Sequence, residues 1–141
     1  MHLVIDGYGG DYESLGNAEI IYDFLMDYPD RIGMTKVAPP QVYTYRGQKP
    51  GDWGLSGFVL IAESHITIHT FPERGFVNVD IFSCKEFDAE ASLPVVKRLF
   101  GLTEMETCLL ERGLEYIGDR ETYSGMVRER IGLRHTAVGA E

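Results

Sequence analysis

The chain has 141 residues, of which 13 are Lys or Arg and 22 are Asp or Glu, leaving a formal charge of -9 at pH 7. That length predicts one domain with a core of its own. An acidic balance with no basic run excludes phosphate-backbone recognition and an anionic membrane surface, since both need clustered cations. It favours a cationic substrate or partner. Hydrophobic content of 44% and charged content of 25% are ordinary globular values and argue against disorder. Cys84 and Cys108 make no disulfide framework. The N-terminal residues have no secretory pattern, and the longest apolar run, Phe58 to Ala62, is too short to span a bilayer. The expected location is the cytoplasm.

In chain order, residues 3–5 predict a short buried strand closed by the glycine-rich turn Gly7 to Gly10. Ser14 to Tyr28 predicts a helix, with Ile20, Ile21, Phe24, Leu25 and Tyr28 on one stripe and Pro29 ending it. Lys36 to Tyr45 predicts a strand broken at Pro39 and Pro40. Gln48 to Gly54 reads as a loop. Leu55 to Ala62, His65 to Phe71 and Phe76 to Ser83 read as three strands of an antiparallel meander. In the second of these, Ile66 and Ile68 share one face while His65, Thr67, His69 and Phe71 share the other. Asp88 to Phe100 predicts a helix capped by Asp88 and closed by Gly101, with Pro94 tolerable only in a first turn. Met105 to Leu110 suits one more strand. Beyond Arg112 the chain is charge-rich with few large apolar residues, which predicts a segment draped over the domain or mobile. The expected architecture is α+β, a two-layer sandwich in which an antiparallel sheet carries two helices on one face.

Chemically versatile residues concentrate between Gly54 and Asp88: Ser56, Glu63, Ser64, His65, His69, Glu73 and Cys84. His65 and His69 have the spacing that chelates a metal on a helix, but four residues along a strand span about 13 Å, too far to share one ion. No metal is therefore expected. Ser64 lacks the G-x-S-x-G elbow of a hydrolase nucleophile. A Cys84–His69 thiol pair has no local signature either. The bland alternative makes Ser64 and His65 a hairpin turn, His69 an ordinary strand residue and Cys84 a buried filler.

A longer pattern decides between them. Gly54 to Cys84 contains Ser56-Gly57, the run E-S-H-I-T-I-H-T-F-P-E from Glu63 to Glu73, and D-I-F-S-C from Asp80 to Cys84. In that order these resemble the prokaryotic, small-subunit type of S-adenosylmethionine decarboxylase, a pyruvoyl-dependent lyase family. The matching stretch is about a fifth of the chain.

The resemblance implies a proenzyme of one domain, 1–141, that cleaves itself between Glu63 and Ser64 into a β chain, 1–63, and an α chain, 64–141. Ser64 Oγ attacks the Glu63 carbonyl, the resulting ester eliminates to dehydroalanine, and hydrolysis leaves a pyruvoyl group as the self-made cofactor. A turn that is exposed and strained suits such cleavage. His69 corresponds to the processing base that removes the Cα proton, and Ser56 to the residue that holds the scissile carbonyl. Ser64 and His69 are five residues apart, so on one ideal strand they face opposite ways; the assignment needs Ser64 to lie in the turn. Cys84 corresponds to the acid that returns a proton to the substrate's α-carbon after CO2 leaves a Schiff base. Cys108 has no counterpart and reads as core.

The family also implies a homodimer whose site lies at the interface, and a product that serves as the aminopropyl donor of polyamine (spermidine) biosynthesis. The chain departs from the family's usual pattern around Asp6 to Asp11, at Gly47 to Gly54, at Lys85 and in the tail. Those departures touch the expected substrate pocket. S-adenosylmethionine is the leading substrate; arginine and ornithine, also cationic amino acids decarboxylated by the same chemistry on this fold, are alternatives. Tyr8 and Trp53 are candidates to stack on adenine or lie over a sulfonium, or equally to anchor core and loop. A non-catalytic paralogue serving another subunit is the remaining alternative.

Overall fold

The computed structural model describes residues 1–113 and 120–132. Along the chain run β1 (His2–Tyr8), α1 (Tyr12–Leu15), α2 (Ala18–Arg31), β2 (Gln41–Arg46), β3 (Trp53–Ile61), β4 (Ser64–Phe71), β5 (Phe76–Ser83), α3 (Ala89–Phe100), β6 (Glu104–Leu110) and α4 (Arg120–Gly132). The strands form a six-stranded sheet in the order β2-β3-β4-β5-β1-β6, and every neighbouring pair is antiparallel. The meander expected from three consecutive runs is β3-β4-β5. The N-terminal strand then inserts between β5 and β6.

Alternation divides the sheet into two unlike faces. Leu55, Val59 and Ile61 of β3, Ile66 and Ile68 of β4, and Val77, Val79 and Ile81 of β5 are buried on the inner face. They meet Ile21, Phe24, Leu25 and Tyr28 of α2 and Val96 and Phe100 of α3 in one core. The two helices are joined there by Tyr28, whose hydroxyl donates to Ser92 Oγ at 2.7 Å. The outer face is mixed. Cross-strand rows run Tyr43–Ser56–His69–Asn78–Asp6 and Leu60–His65–Phe82–His2, with His69, Tyr43 and Leu60 exposed.

Asp88 caps α3 through the Ala91 N–H at 2.9 Å, and Gly101 ends it in the left-handed region at φ 63°, as its sequence position predicts. The first helix differs from expectation. Asn17 accepts from the Glu19 and Ile20 N–H groups and restarts the helix, so α1 and α2 are separate. Pro29 does not stop α2, which continues to Arg31. Proline removes only its own N–H, and the Tyr28 and Pro29 carbonyls still accept from Ile32 at 3.3 Å and Met34 at 2.8 Å. Pro94 likewise lies beyond the first turn of α3; it and Glu90, whose carbonyl loses a donor, are both on the solvent side.

Cys108 is exposed rather than core, because it falls on the outer face of the edge strand β6 opposite Val4. The charged segment after Arg112 contains α4, on which Met126 is buried. The rest of that segment, 114–119 and 133–141, lies outside the described residues.

Gly57 shows what the close approach of α2 requires. A Cβ there would lie 2.9 Å from Ile21 and 3.0 Å from Leu25. Gly57→Ala is expected to lower stability by about 1–3 kcal/mol through overpacking, read as a shift in the urea unfolding midpoint.

Candidate active site

The site begins at the hairpin between β3 and β4. Ile61 pairs with Ser64, so Ala62 and Glu63 alone make the turn. Their polar groups lie outside the strand ladder and find partners elsewhere. The Ala62 N–H donates to the Thr35 carbonyl at 2.8 Å, and the Cys84 N–H donates to the Glu63 carbonyl at 3.0 Å. The Glu63 carboxylate accepts from the Thr35 N–H at 3.1 Å. Arg130 of α4 donates from Nη1 to the Ala62 carbonyl at 3.1 Å.

This turn is not the exposed, strained one that self-cleavage suggests. Ala62 and Glu63 are 0% and 2% exposed. Among the described residues no residue other than glycine has a positive φ. Burial results from the bonds just named, which bring the 35 region, the end of β5 and α4 against the turn.

Ser64 is already the first residue of β4, paired with Ser83 as well as Ile61. It therefore shares the parity of Ile66 and Ile68 and does not sit in the turn. His69 lies on the other face. Its Nδ1 is 2.9 Å from Ser56 Oγ on the neighbouring strand, where the two residues are paired. Five residues at about 3.3 Å each put His69 roughly 16 Å along the strand from Ser64. One chain thus holds two separate groups: Glu63, Ser64 and Cys84 at the hairpin end, and Ser56 with His69 on the outer face.

Cys84 comes directly after β5 and is buried. Gly113 packs against it in the left-handed region at φ +74°, where an added Cβ would stand 3.3 Å from the Cys84 Sγ. A lone glycine in a charged segment carries no sequence signal for this contact. Arg130 is equally silent, because nothing local ties residue 130 to residue 62.

His65 borders Ser64 on the outer face, its ring edge-on to Phe82 at 5.5 Å. Burial pushes its imidazole down from the ordinary 6.5; His2 acts the same way and Asp80 opposes. That environment favours the uncharged imidazole. His2 itself is bound to Asp80 at 2.6 Å, and the Arg112 guanidinium lies 4.1 Å above the Phe82 ring.

The two aromatics considered for substrate stacking have protein partners. Tyr8 packs on Phe76 at 5.2 Å, and Trp53 meets Tyr12 edge-on at 6.2 Å while Arg46 lies over it at 5.7 Å. A cleft of about 750 Å³ is lined by Tyr45, Asp52, Glu73 and the 48–51 loop, and Trp53 Nε1 donates to Glu73 of that lining at 3.4 Å. It is at the end of β4 remote from Ser64.

Comparison with known proteins bears on what this arrangement is for. The family model for S-adenosylmethionine decarboxylase matches residues 1–113. The S-adenosylmethionine decarboxylase proenzyme of Clostridium botulinum (strain Langeland / NCTC 10281 / Type F) is 34% identical, over 79% of this chain and 92% of its own length. That of Thermococcus gammatolerans is 30% identical, over 89% of this chain and 83% of its own. The crystal structure of the adenosylmethionine decarboxylase from Aquifex aeolicus VF5 superposes with a TM-score of 0.68 at 28% identity, covering 80% of this chain and 89% of that one. A hairpin ending in Glu63–Ser64, with Cys84 held against its last carbonyl, thus sits inside a match that takes in the whole sheet: the chain belongs to the S-adenosylmethionine decarboxylase family.

Proposed function

We infer that the chain is an S-adenosylmethionine decarboxylase made as a proenzyme, whose product feeds polyamine synthesis. The observation that carries this is the bond from the Cys84 N–H to the Glu63 carbonyl. A donor aimed at that oxygen stabilises the charge it gains when Ser64 Oγ attacks the carbonyl carbon. In that step the bond from the Glu63 carbon to the Ser64 nitrogen breaks, the nitrogen takes the hydroxyl proton, and an ester forms. Removal of the Ser64 Cα proton then expels the Glu63 carboxylate. The dehydroalanine left behind hydrolyses, releases ammonia and becomes the pyruvoyl group at the head of residues 64–141.

The surroundings of Ser64 suit that group. It is half-buried at a strand end, next to His65 in sequence and one residue from the carbonyl that the Cys84 N–H holds. A pyruvoyl ketone there supplies a carbonyl that captures an amine and withdraws the electrons freed by loss of CO2. The Cys84 thiol, a proton-bearing group among the buried residues, returns a proton to the substrate's α-carbon. Gly113 keeps the space beside that sulfur free of a side chain. The relatives' names favour S-adenosylmethionine over arginine or ornithine.

His69 is assigned the processing base, with Ser56 orienting its ring through Nδ1. The spacing along β4 keeps that pair from the Ser64 of the same chain, so a second copy supplies it. The mixed outer face, which carries Phe58, Leu60 and Phe82 as well as Ser56 and His69, is the surface on which the two copies meet. Ser56 thus acts through His69 rather than on the scissile carbonyl of its own chain.

Intact mass should find two chains, 1–63 and 64–141; a single uncleaved species would defeat the pyruvoyl assignment. In a CO2-release assay the cleaved protein should turn over S-adenosylmethionine and leave arginine and ornithine untouched. Ser64→Ala should remain whole. Cys84→Ala should cleave yet lose turnover by about a hundredfold or more. His69→Ala should fail to cleave alone but cleave when co-expressed with Ser64→Ala, since the mixed dimer rebuilds one complete site. Absence of that rescue would rule out the shared site.

A further inference from the structure

We propose that α4 is a clamp on the cleavage turn and that Arg130 is its positioning residue; this rests on the proenzyme assignment above. The family model ends at residue 113, so α4 lies beyond the residues it matches. Its last turn carries Arg130, whose Nη1 reaches the Ala62 carbonyl at 3.1 Å in a partly buried setting. Residues 62 and 130 are 68 apart in sequence, so the bond exists only because α4 is folded back onto the hairpin. Met126, one turn earlier, is 9% exposed and gives the helix an apolar foothold.

The acceptor is what makes this contact functional. Ala62 and Glu63 form a turn of two residues, and each carbonyl is bound from outside the hairpin: Glu63 by the Cys84 N–H, Ala62 by Arg130. Those two bonds fix the peptide planes on either side of the Glu63 Cα. The acyl shift needs Ser64 Oγ to approach the second plane along one direction. A plane free to rotate spends most of its time misaligned. The guanidinium also places a permanent positive charge one residue from the oxygen that becomes negative during attack. Arg130 belongs to 64–141 and Ala62 to 1–63, so the bond links the two chains once cleavage has occurred.

The test tracks maturation of freshly translated chain by gel or intact mass. Arg130→Ala should slow cleavage about tenfold or more, the effect expected on losing a charged hydrogen bond, and Arg130→Lys should recover part of the rate. In a non-cleaving Ser64→Ala background, Arg130→Ala should speed amide exchange at positions 63 and 64 while moving the thermal midpoint little. Cleavage of Arg130→Ala at the unaltered rate would overturn the clamp. So would a slowing matched by a large drop in thermal midpoint, which marks a merely structural contact. If the unaltered chain itself never cleaves, the proenzyme assignment fails, and the exchange rates alone judge whether Arg130 holds the turn.

Discussion

Closing β3 onto β4 in two residues constrains most of the rest of this molecule. Once Ile61 faces Ser64, the period of two in a strand assigns every later side chain of β4 to a face, and a slip of one residue would invert all of them. Ile66 and Ile68 then go to the core, and His69 goes to the surface beside Ser56. Ser64 is left on the parity of the core but at the end of the sheet, where it is covered only in part. The same closure strands the carbonyls of Ala62 and Glu63 outside the ladder. Buried polar groups need partners, so other elements must come to them, and they do: the start of the 84 loop and the last turn of α4.

The two faces of the sheet divide the work. The inner one is apolar from β1 to β5 and gains its stability by packing against α2 and α3, with Gly57 letting α2 lie close. The outer one holds nearly all the chemistry-bearing side chains of the middle strands, interleaved with rings such as Phe58, Phe71, Phe76 and Phe82. A face of that composition is costly to leave wet and too polar to serve as a private core. The proposed second copy of the chain, bringing its own Ser56 and His69, would reconcile the two demands. The same proposal would account for a family motif that is continuous in sequence while its parts lie roughly 16 Å apart on one strand.

Much of this is legible in the amino-acid sequence. A near-continuous apolar run announces β3, alternating apolar residues announce β4 and β5, and Asp88 and Gly101 announce the ends of α3. Cap chemistry and strand period act over a few residues, so a few residues suffice to read them. Expectation and structure part where a local rule meets a distant partner. Pro29 predicts the end of a helix that the Ile32 and Met34 N–H groups extend. Cys108 reads as core because thiols usually are, but its strand is an edge. The β3–β4 turn reads as open, because a hairpin tip usually is; here three separate segments converge on it.

The sequence by itself determined the strands that carry the site, the helices that back them, and a motif specific enough to name the family. These depend on periodicity and on residue type, which are properties of neighbours in the chain. Only the tertiary structure decided that Ser64 and His69 are held apart, that the Cys84 N–H meets the Glu63 carbonyl, that Gly113 packs on Cys84 and that Arg130 reaches the Ala62 carbonyl. Those facts depend on which strands pair and on how α4 folds back. They are contacts between residues tens of positions apart, and no local pattern encodes them.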